Sequence, residues 1–219
     1  MKNKGKFIFA AVCGILAIIL IILVGCVDVA PIGPEGTSIG LSHINKAAAD
    51  LVGTNLLWYN ITKYLGYIAL LTAFAFAVAG FIQLVTRRGI SKVDREILAL
   101  GILYAVVIGL YIFFEVVIIN YRPVIMPDET YPEASFPSSH TMLICVVMGS
   151  TIMVLNKYIK NDMLRKILQV ICSIIIIIMV VGRMLSGVHW LTDITGGVLI
   201  SAVLLSLFSG IRDKLTENQ

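Results

Sequence analysis

The chain has 219 residues, of which 58% are hydrophobic and only 14% charged, with a mean hydropathy of +0.95 and a formal net charge of +4. These values exclude an ordinary soluble domain and a disordered chain. The apolar runs are too long for barrel strands, which leaves an all-α, polytopic membrane protein.

Six apolar runs lie near 7–27, 64–86, 97–119, 140–157, 167–182 and 190–211. Each is about long enough to cross a hydrocarbon core of roughly 30 Å at 1.5 Å per residue. Without an internal repeat or a low-complexity linker, residues 1–219 read as a single membrane-embedded domain in one six-helix bundle. The first run ends in Leu23-Val24-Gly25-Cys26, which resembles a bacterial lipoprotein processing site. Its use would remove residues 1–25 and acylate Cys26, whereas an intact first run completes the bundle. All four cysteines (Cys13, Cys26, Cys145, Cys172) sit in or beside apolar runs without metal spacing and read as packing residues.

Residues 28–63 open with the turn-rich "PIGPEGTSIG". Leu41, Ile44, Ala48, Leu51 and Val52 then recur at helical spacing, with Gly53 as a stop. This predicts a short amphipathic helix on the outer membrane surface, capping the bundle or guiding a lipid. His43 reads as an ordinary interface histidine. Trp58, Tyr59, Tyr64, Tyr121 and Trp190 fit an aromatic belt.

Segment 120–139 links the third and fourth runs. It holds Arg122, the acidic residues Asp128, Glu129 and Glu133, which read as a solvated loop, and the tetrad Pro137-Ser138-Ser139-His140. A second polar knot, "GRMLSGVHWLTD", joins the fifth and sixth runs. Basic residues fix the orientation: thirteen lie at the ends shared with the N-terminus, against Lys46, Lys63, Arg122 and Arg183 at the others. Both termini are therefore predicted to be cytoplasmic, and both polar knots to lie on the extracytoplasmic face.

His140 falls in the first turn of the fourth span and His189 in or next to the first turn of the sixth, where helix N-termini favour anions. His189 and Asp193 are i and i+4, so a helix would put them on one face. A carboxylate on one imidazole nitrogen leaves the other free to attack. His140 could then protonate a leaving oxygen, while Arg122 and Arg183 offer forked donors to phosphate. Backbone N–H groups around Ser138 and Ser139 add further donors. These are the parts of a phosphoryl-transfer site with a phosphohistidine intermediate.

The constellation resembles the type-2 phosphatidic acid phosphatase family, integral-membrane lipid phosphatases related in site design to vanadium haloperoxidases. That family has Lys-x6-Arg-Pro, Pro-Ser-Gly-His and Ser-Arg-x5-His-x3-Asp motifs. Here the second reads Pro137-Ser138-Ser139-His140 and the third Gly182-Arg183, five residues, His189, three residues, Asp193. The first retains Arg122-Pro123 but has Glu115 where the family has lysine. Glu115 is expected to pair with Arg122 or Arg183 and orient it; alternatively Lys63 supplies the missing ammonium, or the site is weakened or turned to another phosphate.

The resemblance implies catalysis by His189, His140 and Asp193, phosphate binding by Arg122, Arg183, Ser138 and Ser139, and hydrolysis without metal or cofactor. Its implied partners are the bilayer and a phospholipid or polyprenyl phosphate, with no nucleic acid. Undecaprenyl diphosphate, phosphatidylglycerophosphate and phosphatidic acid are the candidate substrates. A head-group phosphotransferase, a non-catalytic lipid-phosphate binder and a small transporter are the alternatives.

Overall fold

The computed structural model describes residues 2–126 and 129–217; Asp128, assigned above to the acidic loop, lies outside them. Among these residues the chain forms seven α-helices: α1 (Lys2–Cys26), α2 (Ser42–Val52), α3 (Leu56–Arg87), α4 (Arg95–Val116), α5 (Ser139–Tyr158), α6 (Asp162–Ser186) and α7 (Leu191–Glu217). All but α2 are long and apolar enough to cross a membrane.

The central span is α5, the most deeply buried of the six. One of its faces joins Leu100, Leu103 and Val107 of α4 and Phe208 of α7 through Met142, Val146 and Val154. Its other face joins Ala69 of α3 and Cys172 and Met179 of α6 through Ile144, Val147 and Met148. A span enclosed by protein can carry Ser150 and Thr151, both buried and both bonded to the Val147 carbonyl. Lipid offers no apolar gradient to drive helices together, so close packing of small residues does that work. Thus α1 turns Ala10, Cys13 and Ala17 inward, onto α7, and leaves Ile8, Ile15 and Ile22 facing outward.

One end of the bundle is tied by charge. Lys6 bonds Asp213 and Ser209, Asp94 receives Gln83 and Arg87, and Lys157 pairs with Glu96. The candidate site lies at the opposite end.

Two of the spans depart from the sequence reading. Helix α3 starts at Leu56 rather than near 64, because the Asn55 carboxamide accepts the N–H groups of Leu57 and Trp58 as an N-cap. At 32 residues it is about 48 Å long, so its first turns stand clear of a roughly 30 Å core and level with the site. Helix α6 runs from Asp162 to Ser186, extending past both ends of the predicted 167–182, so Arg183 belongs to its last turn and not to a loop. The sixth span begins at Leu191, within a residue of the expected start, and His189 stands next to its first turn.

The amphipathic helix exists as α2 and ends at Gly53, but it docks by its polar stripe. Ser42 and Asn45 are buried, while Ile44 and Leu51 face outward. The Asn45 carboxamide donates to Thr192 Oγ1 at 3.0 Å and accepts from the Thr192 N–H at 3.2 Å, so α2 caps the first turn of α7. His43 is exposed and sits 2.7 Å from Asp28, consistent with a role at the surface. Of the cysteines, Cys13, Cys145 and Cys172 are buried and Cys26 is exposed, so Cys26 is not a packing residue.

Candidate active site

Between α4 and α5 the chain makes a two-rung antiparallel pairing, with Tyr121 opposite Ala134. The Arg122 N–H donates to the Glu133 carbonyl at 3.0 Å and the Ser135 N–H to the Asn120 carbonyl at 2.9 Å. Side chains alternate along such a pair, so Asn120, Arg122, Glu133 and Ser135 share one face. Glu133 meets Arg122 at 3.2 Å, which takes it out of the solvated acidic loop expected for it. Glu115, the expected carboxylate partner of Arg122 or Arg183, forms no ion pair among the described residues. It stands with Tyr111 on the α4 wall of a cleft also lined by Arg122, Ser135, Ser139 and His189. The difference is positional: α4 ends at Val116, and the chain returns to Arg122 only after a turn, now facing Glu133.

His189 and Asp193 do converge, but not as an i, i+4 pair on one helix. Asp193 lies in the first turn of α7 and accepts the Trp190 N–H through Oδ2 at 2.9 Å, one half of a capping box. His189 Nδ1 is 3.7 Å from that oxygen, beyond a hydrogen bond. Ser135 Oγ fills the gap, donating to Asp193 Oδ2 and lying 3.2 Å from His189 Nδ1. Asn120, also buried, stands beside Asp193. Burial, and after it the Arg183 and Arg122 charges, hold the His189 imidazole well below the usual histidine range.

Arg183 is 1% exposed and His189 5%. Arg183 Nε and Nη1, Arg122 Nε and His189 Nε2 are all buried and have no hydrogen-bond partner among the described residues. Three cationic donors and a ring nitrogen thus remain open on residues whose charges act on one another, a demanding arrangement for buried polar atoms. Arg183 is held from behind by the Tyr59 ring, 5.5 Å from its guanidinium carbon.

His140 lies in the first turn of α5, against Gly66 of α3: a Cβ there would come within 3.1 Å of the ring. Lys63, one turn before Gly66 and half-buried, is among the positive charges acting on His140. Ser139 opens onto the cleft. Ser138, by contrast, is fully buried, and its N–H, expected among the anion donors, instead donates to the Asp193 carbonyl at 2.9 Å. That bond ties the start of α5 to the start of α7, which sets the two histidine-bearing ends side by side.

The aromatic belt is only partly realised. Tyr64 is exposed, but Trp190 is buried and donates through Nε1 to the Tyr121 carbonyl at 2.6 Å, pinning the 120s ribbon to the α6–α7 turn. Ser135, Asn120, Asn45 and Tyr59 escaped the sequence reading as site residues. Ser135 had one available signal, its place two residues before Pro137.

Fold and site together define a six-span helical membrane protein with a buried, cation-rich pocket between two helix starts. Residues 116–217 match the PAP2 superfamily, and this segment holds Arg122-Pro123 and the two histidine-bearing motifs on which the resemblance was drawn. Phosphatidylglycerophosphatase B of Bacillus subtilis (strain 168) is 28% identical over 95 residues, 43% of this chain and 47% of that one. The match therefore spans about half the length of that curated relative. The crystal structure of a transmembrane PAP2 type phosphatidylglycerolphosphate phosphatase from Bacillus subtilis shares the fold, with a TM-score of 0.65 at 17% identity. That likeness covers 94% of this chain and 97% of the other.

Proposed function

We propose that this protein is an integral-membrane phosphatase that removes phosphate from a lipid phosphate or diphosphate through a phosphohistidine on His189. The observation that carries this reading is that His189 Nε2 and the donors of Arg183 and Arg122 are all buried without a partner among the described residues, with both guanidinium charges acting on His189. A phosphoryl group with three charged oxygens completes those donors and presents phosphorus to the nitrogen.

In this reading the Nε2 lone pair forms a bond to phosphorus as the bond to the leaving oxygen breaks. His140 gives that oxygen a proton. Arg122 and Arg183 bind the equatorial oxygens, and Ser139 adds a donor from the first turn of α5. Water then attacks the phosphorus, its proton passes to His140, and the P–N bond breaks to release phosphate and restore His189. Asp193 holds the ring from its far side. Glu115 is given no step.

The substrates that fit are undecaprenyl diphosphate, phosphatidylglycerophosphate and phosphatidic acid, and the name of the curated relative favours the second. The charge asymmetry supports cytoplasmic termini and an extracytoplasmic site. The deciding experiment is phosphate release by the detergent-solubilised protein in EDTA, from all three lipids, for wild type and His189→Ala. Release that survives EDTA and falls about 10³-fold or more in the variant is the expected result. Full activity in His189→Ala would sink the mechanism. Phospholipid binding without release from any lipid would leave a binder.

A further inference from the structure

The hydroxyl of Ser135 lies between Asp193 and His189 and contacts both. The carboxylate and imidazole are 3.7 Å apart, too far to share a proton directly, while Ser135 Oγ lies 3.2 Å from Nδ1 and donates to Oδ2. A serine hydroxyl has one proton and two lone pairs. With that proton directed to Asp193, the oxygen can only accept from His189, so the imidazole must carry its hydrogen on Nδ1. The lone pair is then on Nε2, the buried nitrogen with no protein partner among the described residues.

We infer that Ser135 is a positioning residue that links Asp193 to His189 and sets the imidazole tautomer, making a three-membered Asp–Ser–His relay. The inference rests on the reading of His189 as the attacking group. Its placement has a backbone cause. The Ser135 N–H is held by the Asn120 carbonyl and the next rung is the Arg122 to Glu133 bond, so the register that sends Arg122 into the pocket sends Ser135 to the same side. Slipping the pairing by one residue would put the two side chains on opposite faces. Asp193 is fixed independently by the Trp190 N–H, which lets it serve as a rigid anchor for the serine. The relay is thus assembled from two places, the 133–135 rung and the start of α7, and neither contains it alone.

Three histidines in the chain make the test direct. Ring-nitrogen NMR of 15N-histidine protein, with His189 assigned by its absence in His189→Ala, reads the tautomer without any turnover. Wild-type His189 should show its proton on Nδ1. Ser135→Ala should lose that preference, and Ser135→Thr, which keeps a hydroxyl, should retain it. Phosphate release should follow, with kcat roughly 10- to 100-fold lower in Ser135→Ala at little change in KM, and largely restored in Ser135→Thr. A wild-type proton on Nε2, or an unchanged signal in Ser135→Ala, overturns the relay. Absence of phosphate release from wild type would instead bring down the phosphatase reading, while the NMR comparison still decides the serine's role.

Discussion

At the scale of single residues, His189 is enclosed with two guanidinium groups, and its titration follows from that. Burial disfavours the imidazolium, and the Arg183 and Arg122 charges disfavour it further, so the pKa lies well below the ordinary value of about 6.5. Burial and the two guanidinium charges thus favour the neutral ring, the form that has a lone pair with which to attack. Replacing Arg183 by Met removes one repelling charge, so the pKa of His189 should rise. A ring-nitrogen titration in the Arg183→Met variant should show the midpoint moving upward, and a downward move would refute the assignment of cause. The same variant should lose about 10² to 10³ in kcat/KM, the usual cost of deleting a donor to a charged transition state.

At the scale of elements, the site is a consequence of how helices begin and end. Asp193 caps α7, Asn45 of α2 satisfies another of its first N–H groups, and the Ser138 N–H binds the Asp193 carbonyl. Capping that would be worth about 1 kcal/mol in any helix here also fixes the orienting carboxylate. Helix α6 closes on Gly187, which has φ of +66° and approaches the Gly53 carbonyl closely enough that a Cβ would collide with it. The adjacent bond from the Asn55 N–H to the Ser186 carbonyl, at 3.0 Å, holds the two turns together. Gly187→Ala should therefore destabilise the protein by about 1–3 kcal/mol or more, since strain and collision act together. Thermal unfolding in detergent measures this, and an unchanged transition would show that the turn yields.

At the scale of the whole molecule, the bundle is polar at both ends for different reasons. One end holds ion pairs such as Lys6 with Asp213 and Arg87 with Asp94; the other holds the open arginines and histidine. The proposed topology, drawn from the positive-inside asymmetry, puts the first end in the cytoplasm. In a Cys26→Ser background, which removes the one exposed native thiol among the described residues, a cysteine placed at Tyr131, 75% exposed at the site end, should react with a membrane-impermeant maleimide in intact cells. One placed at Ser91, exposed in the turn between α3 and α4, should react only after permeabilisation. The reverse pattern would invert the topology and move the site to the cytoplasmic side.

The six spans, the all-helical class and the two polar knots were legible in the residues, because hydrocarbon length and charge asymmetry are local properties of a run. Arg122, Arg183, His140, His189 and Asp193 could be picked out as candidates by motif spacing alone, but their settings differ: His140 and Asp193 lie in first helical turns, Arg183 in the last turn of α6 and Arg122 in the 120–135 ribbon. Other features depend on which segments meet. The i, i+4 reading of His189 and Asp193 assumed one helix, but α7 begins after His189, and the gap is bridged by Ser135 from more than fifty positions upstream. Glu115 is close to Arg122 in sequence, yet Glu133 takes that arginine because antiparallel pairing sets them on one face. Helix α2 reads as an apolar stripe seeking a surface, and only the packed structure makes its buried side the polar one, through Asn45. Sequence determined the helices and the chemical groups at their ends; the tertiary structure decided which groups are partnered. Hydrogen bonds act over about 3 Å, a distance that depends on how separated segments are brought together rather than on spacing within any one of them.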